Sequence, residues 1–208
     1  ILEIMNLMGI HEVENDEYLR RRFSYPVYTQ VKGAELYGHK ITGSYNRLDF
    51  HEHPEQYTCR FLPYAAQTDI LMNGVYWDKK VPRLFEKEEA SSEEFIIQTI
   101  ADITDDANGS VPINVGDQTI EDPIYGIDKK TLEKTAPYLP GSIDIMAVGN
   151  LPNELPRDAS RYFGEQLIKF ILEDLLSNGS PIIERATIVK EGALTAEYEY
   201  MRDYAEGK

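Results

Sequence analysis

Apolar residues recur along this chain in two periods, one helical and one extended. ILEIMNLMGI at the start sets Ile1, Leu2, Ile4, Met5, Leu7, Met8 and Ile10 at helical spacing, which predicts a buried helix ending at Gly9. PVYTQV (26–31) reads as a strand, Lys32 to Asn46 as a polar loop, and Pro54 to Tyr64 as helical in part. DILMNGV (69–75), IIQTIADIT (96–104) and DIMAVGN (144–150) are almost continuously apolar, as expected of strands covered on both faces. Pro156 to Asn178 predicts a long helix, with Phe163, Leu167, Ile171 and Leu175 in one stripe, Ile168, Leu172 and Leu176 widening it, and Gly179 as its stop. The tail offers a short strand in IIERATIV, a turn at Glu191-Gly192 and a polar helix from Thr195.

Buried strands alternating with helices predict an α/β fold with a parallel sheet, and such sheets bind ligands beyond the carboxyl ends of their strands. Each buried strand here runs into polar or small residues. The first meets Asn73, Gly74 and Tyr76, the second Thr104, Asp105 and Asp106, the third Gly149 and Asn150. Singly, each set also reads as ordinary turn residues. Together, on parallel strands, they would line one crevice. Two Leu-Pro pairs follow the third strand, at Leu151-Pro152 and Leu155-Pro156. Proline fixes its own φ and holds the preceding residue extended, so this segment is stiff, and the helix is expected to start at Pro156. The irregular stretch from Asp105 to Ile143 is longer than a plain connection, which points to a functional loop.

Composition narrows the classes. The 208 residues carry 36 acids against 21 bases, a net charge of −15, which argues against nucleic acid as partner. No apolar run reaches the ~18 residues of a membrane span, and Ile1 opens without a basic leader or cleavage site. The single cysteine, Cys59, excludes an internal disulfide and suits a reducing, cytoplasmic setting. Asp102, Asp105 and Asp106 would allow a Mg²⁺ site, whereas an EF-hand aligned on Gly109 fails, with Thr104 and Val115 at its end ligand positions. His51, His53 and Cys59 lack zinc spacing and a fourth ligand. No metal is assigned. A nucleophile elbow and a P-loop are both missing from the sequence.

TDILMNGVYWDKKVPRLF (68–85), IADITDDANGSVPI (100–113) and IMAVGNLPNELPRDASRYFGEQL (145–167) resemble the C-terminal half of the saccharopine dehydrogenase family. That family includes the lysine-forming enzyme and the lysine–ketoglutarate reductase domain, within the alanine dehydrogenase/transhydrogenase group. The resemblance runs from Ile1 to about Thr195 and implies two α/β lobes around a cleft. It gives residues 1–155 as an incomplete NAD(P)-binding Rossmann-like domain, lacking its first strand and glycine-rich turn. Residues 156–208 become a crossing helix and a tail returning to a catalytic lobe. Because the chain opens inside a helical pattern without Met, it is expected to be part of something longer.

Position by position, the resemblance places Tyr76, Ile103, Val148, Gly149, Asn150 and Leu151 against NAD or NADP, and Thr104, Asp105 and Asp106 toward an amino-acid substrate. The family usually has Asp at the position of Gly149. No catalytic residue is assigned, because the family's catalytic lysine and histidine belong to the other lobe. Lys32, after the second strand, leans toward a cofactor 2′-phosphate. The activity implied is oxidation or reduction at a C–N bond, with a non-catalytic nucleotide- or partner-binding lobe as the alternative. In strand order 3-2-1-4-5-6, PVYTQV would be the second strand and DILMNGV the fourth. The slot between them is expected to be filled by a missing N-terminal half, by another copy in a homo-oligomer, or from within by residues 111–127.

Overall fold

A computed structural model describes residues 1–177 and 179–207. In chain order the first elements are helix α1 (Leu2–Leu7), strand β1 (His11–Glu12), α2 (Asn15–Arg20), β2 (Val27–Tyr28) and β3 (Tyr37–His39). Next come α3 (Arg47–Glu52), β4 (Tyr57–Cys59), α4 (Leu62–Ala65), β5 (Ile70–Asn73), α5 (Lys87–Ala90) and β6 (Thr99–Asp102). The remainder holds β7 (Ile124–Asp128), β8 (Lys134–Thr135), β9 (Ser142–Met146), α6 (Pro156–Phe170), α7 (Leu172–Leu176), α8 (Pro181–Ala186), β10 (Val189–Lys190), β11 (Ala193–Leu194) and α9 (Arg202–Ala205). The chain divides into two compact units between Gly149 and Asn150, so residues 150–155 go with the C-terminal unit.

The first unit is built on a mixed sheet in the order β5-β6-β9-β7-β8. β5, β6 and β9 run parallel, and β7 and β8 continue the sheet antiparallel beyond β9. The three expected apolar strands therefore form in the expected succession, within a Rossmann-like α/β architecture. Ile100, Ile143, Ile145 and Ile127 are wholly buried and pack with Phe85, Phe95, Ile97 and Val111. These isoleucines share one face of the sheet, where β-branched side chains pack well. On the other face of β9, Asp144 and Met146 are only half-buried, so this strand is fully covered on one face and not on both as expected. Beside it, β3 and β4 pair antiparallel under an aromatic cluster in which Tyr37 stacks on Phe50 at 4.5 Å and Tyr57 meets Phe50 edge-on at 5.1 Å.

Several expectations change. β5 is not covered on both faces: Ile70 is 63% exposed and Met72 also lies open, because β5 is an edge strand paired with β6 alone among the described residues. α1 forms, and Gly9 takes the left-handed conformation (φ 69°) that ends it, but it buries nothing and Leu7 is 83% exposed. Ile4 and Met8 are exposed as well. PVYTQV contributes only Val27 and Tyr28, which pair in parallel with β1 outside the main sheet. The loop from Lys32 to Asn46 contains β3, and 54–64 holds a 3₁₀ turn, a strand and a short helix. Residues 111–127 do not fill the slot, since their end enters β7 on the far side of β9.

In the second unit Pro156 is the first residue of α6, as the Leu-Pro pairs predicted. The long helix breaks at Ile171 (φ −122°), so its stripe spans two helices, and Phe163 and Leu176 are exposed. The predicted helix end at Asn178 lies outside the described residues. IIERATIV is not mainly a strand: Ser180 accepts the Ile182 amide as N-cap, Pro181 occupies the first turn, and α8 follows. Glu191 and Gly192, both at positive φ, turn β10 into β11, and the final helical segment starts with a 3₁₀ stretch at Ala196. Among the described residues no helix is long and apolar enough to cross a membrane.

Candidate functional site

β5 and β6 end side by side, Asn73 opposite Asp102, both almost wholly buried. A carboxylate in such a place needs hydrogen-bond donors. Asn73 Nδ2 donates to Asp102 Oδ1 at 2.7 Å and to Ser110 Oγ at 2.8 Å. Asn114 Nδ2 donates to Asp102 Oδ2 at 2.8 Å, and the Asp105 amide reaches Oδ1 at 3.3 Å. Asn114 Oδ1 in turn accepts from the Tyr125 hydroxyl and the Gly116 amide, each at 2.8 Å. Tyr125 Oη accepts from the Val115 amide at 2.9 Å. Burial first, and the Asp102 and Asp105 carboxylates after it, push this phenol up to about 12, so it stays a donor. The amides hold Asp102 without a cation, and they tie the loop after β6 to the ends of two strands.

Asp105 follows at φ 55°, half-buried, with one carboxyl oxygen shut off from solvent and without a hydrogen-bond partner among the described residues. Burial raises its carboxyl to about 7, helped by the hydrogen bond and charge of Asp117 and, last, by the charge of Asp102. Asp117 is carried there by a short parallel pairing of Gln118 with Val148, in which the Gln118 amide donates to the Ala147 carbonyl at 2.7 Å. A Cβ on Gly149 would stand 2.9 Å from the Asp117 carboxyl. Glycine is therefore what lets Asp117 sit over the third strand end. The Asp117 carboxylate thus lies against the backbone of Gly149.

The structure gathers the predicted residues unevenly. Thr104 bonds across to the segment after β5, its hydroxyl donating to the Val75 carbonyl at 2.7 Å, and the Ile103 amide donates to Asn73 O at 2.9 Å. Ile103 and Tyr76 are exposed, Asp106 is exposed with its backbone carbonyl accepting the Gly109 amide, and Val148 is buried. Asn150 (φ 50°) and Leu151 belong to the second unit, where Asn150 precedes the 3₁₀ turn Leu151–Glu154. Among the described residues no three His, Cys, Asp or Glu side chains come together as a metal site, and Asp102 spends both oxygens on amides. Burial first raises the Cys59 thiol to about 11, which leaves it unreactive. Sequence reasoning missed Ser110, Asn114, Asp117 and Tyr125. The available signal was Asp102 itself, a carboxylate inside a buried strand that had to find donors somewhere in the long loop.

No family profile matches the chain. It is 30% identical to alpha-aminoadipic semialdehyde synthase, mitochondrial, of Mus musculus over 241 residues, covering 99% of this chain and 26% of that protein. It is also 30% identical to saccharopine dehydrogenase [NAD(+), L-lysine-forming] of Candida albicans over 126 residues, 58% of this chain and 30% of that protein. The chain belongs to the saccharopine dehydrogenase family. The Arabidopsis thaliana alpha-aminoadipic semialdehyde synthase is 28% identical over 184 residues, 82% of this chain and 17% of that protein. This member of the saccharopine dehydrogenase family thus spans about a quarter or less of the length of its animal and plant relatives. The mammalian names carry the word mitochondrial, so a cytoplasmic location gains no support from them.

Proposed function

We propose that this chain is the cofactor-binding half of an NAD(P)-dependent oxidoreductase acting on an amino-acid C–N bond in lysine metabolism. The observation that supports it most is the convergence of Thr104, Asp105 and Gly149 with Asp117 at the carboxyl ends of parallel strands, in a chain related to saccharopine dehydrogenases. NAD(+) stands in the fungal relatives' names, and NADP is the alternative for this chain.

The residues fit the ring end of such a cofactor better than its phosphates. No atom stands within 4 Å of where a side chain would project at Gly74, so a flat ring can approach the backbone there. The cluster offers carboxylates and amides, and none of Asp102, Asp105 and Asp117 has an ion-pair partner among the described residues. Tyr76, Ile103, Val148 and Gly149 would hold the nicotinamide, which supplies hydride chemistry when bound. Thr104, Asp105 and Asp106 would face the amino acid. Asp106, exposed and charged, would pair with its ammonium group. Asp105, proton-bearing near neutral pH, would keep a proton beside the reacting nitrogen. The cluster contains no Lys or His, so the main acid–base groups would come from elsewhere in the protein.

The test is Asp106→Asn in the intact enzyme. kcat/KM for the amino acid should fall by about 1.5–3 kcal/mol, roughly ten- to a hundredfold, with cofactor affinity unchanged. Unchanged amino-acid kinetics with weakened cofactor binding would reverse the assignment. Intact protein that binds dinucleotide but turns over no amino acid would favour the non-catalytic lobe.

A further inference from the structure

Backbone alone aims the Asp106 side chain, whose carboxylate takes no hydrogen bond or ion pair among the described residues. The turn that carries it is closed by the Gly109 amide, which donates to the Asp106 carbonyl at 2.9 Å. A Cβ on Gly109 would stand 2.5 Å from Asp106 Cβ, so a larger residue there would displace Asp106. Asp105 and Asn108 flank Asp106 at φ 55° and 53°, a sparsely populated region that persists only where the surroundings hold it.

Part of that hold comes from the loop after β5. The Asn108 amide donates to Asn114 O at 2.8 Å, within its own loop, but its carbonyl accepts from Arg83 Nη2 at 3.1 Å. Arg83 stands on a firm base: Leu84 and Phe85 beside it are buried, and the Leu84 amide donates to the Ser110 carbonyl at 3.0 Å. The half-buried guanidinium also lies 5.9 Å from the Trp77 ring centroid and gives Nη1 to Glu86 at 3.2 Å. Trp77 is fixed by its own bond to Val81 O and follows directly on Tyr76. A planar fork can serve a carbonyl, a carboxylate and an aromatic face at once. Arg83 thus joins the loop bearing Tyr76 to the turn bearing Asp106.

We propose that Arg83 is a positioning residue for substrate binding: by holding the Asn108 carbonyl it sets the Asp106 carboxylate toward the substrate's ammonium group. The inference rests on the role proposed for Asp106. Arg83 touches neither substrate nor cofactor in it and acts only through the turn. A loosened turn lets Asp106 spend time pointing into water, which weakens the hold on the amino acid and leaves the hydride chemistry alone. Trp77 keeps its bond to Val81 when the guanidinium is gone, so Tyr76 and the cofactor side are spared.

Steady-state kinetics of the intact enzyme test it, with Arg83→Met, Asp106→Asn and the double variant beside the parent. Methionine keeps much of the stem's packing and removes the donor. Arg83→Met should raise KM for the amino acid about five- to tenfold, the effect of one hydrogen bond, with kcat and dinucleotide affinity within about twofold of the parent. Added to Asp106→Asn it should cost less than about twofold more, because no charge is left to aim. Arg83→Lys restores a donor and should recover part of the loss. Losses that multiply in the double variant, an equal fall in dinucleotide affinity, or no recovery with lysine would overturn the proposal and leave Arg83 a structural residue. An effect of Asp106→Asn beside a parent-like Arg83→Met would overturn this inference alone, whereas parent-like kinetics for Asp106→Asn would overturn the role of Asp106 itself.

Discussion

Replacing Asn114 should show how far the polar cluster holds the strand ends together. Asn114→Ala removes the donor that gives Asp102 Oδ2 its hydrogen bond at 2.8 Å and strands the Tyr125 hydroxyl, whose acceptor at 2.8 Å disappears. A hydrogen bond to a buried charge is worth about 1.5–3 kcal/mol, and an orphaned buried hydroxyl adds about 1 kcal/mol more. The expected loss is therefore ~2.5–4 kcal/mol, a large part of the roughly 5–15 kcal/mol that holds a domain folded. With a urea slope of about 2 kcal/mol per molar, the midpoint should drop by ~1.2–2 M. Trp77, the one tryptophan, lies just after β5 with its indole N–H donating to Val81 O at 3.0 Å, so its fluorescence reports on this unit. Asn114→Asp adds a sharper reading. It sets a second carboxylate against Asp102 in place of a donor, so it should cost more stability than the alanine does. A midpoint within about 0.3 M of the parent for Asn114→Ala, or an Asn114→Asp variant as stable as the parent, would refute the role given to Asn114.

The raised carboxyl of Asp105 carries a pH dependence of known sign. Its folded value of about 7 lies above the unfolded 3.8, so its contribution is fully present below about 3.8 and lost as pH rises through about 7. In a dry site that shift would amount to roughly 4 kcal/mol, and water reaching the half-buried group should reduce it to ~1 kcal/mol. Asp105→Asn should accordingly gain about that much at pH 8 relative to pH 4, measured by urea titration at both, and equal effects at the two would contradict the assignment. Gly149→Ala should push the exposed Asp117 carboxyl aside, since the new Cβ would stand 2.9 Å from it, at a stability cost below ~1 kcal/mol. The Asp105 titration, followed by NMR, should then move below about 7, and an unmoved midpoint would mean that Asp117 does not act on it.

The sequence by itself determined the elements whose signals are local. The strands at Ile70, Thr99 and Ser142 announced themselves as apolar runs, the start of α6 as a proline in a first turn, and the hairpin at Glu191-Gly192 as a turn pair needing positive φ. These depend on neighbours along the chain, which periodicity and backbone sterics encode. IIERATIV misled because its apolar run is short, and a capping serine with a following proline outweighed the β-branched residues. The polar ends of the three strands were visible as residue types, but their partners were not. Asn114 reaches Asp102 and Asp117 reaches Gly149 only because the long loop folds back over the sheet. Tertiary structure alone decided that β5 is an edge and that α1 lies uncovered, since whether an apolar face is buried depends on which chain lies beside it. Hydrophobic pattern tells which residues want cover, and only the assembled sheet tells which of them have it.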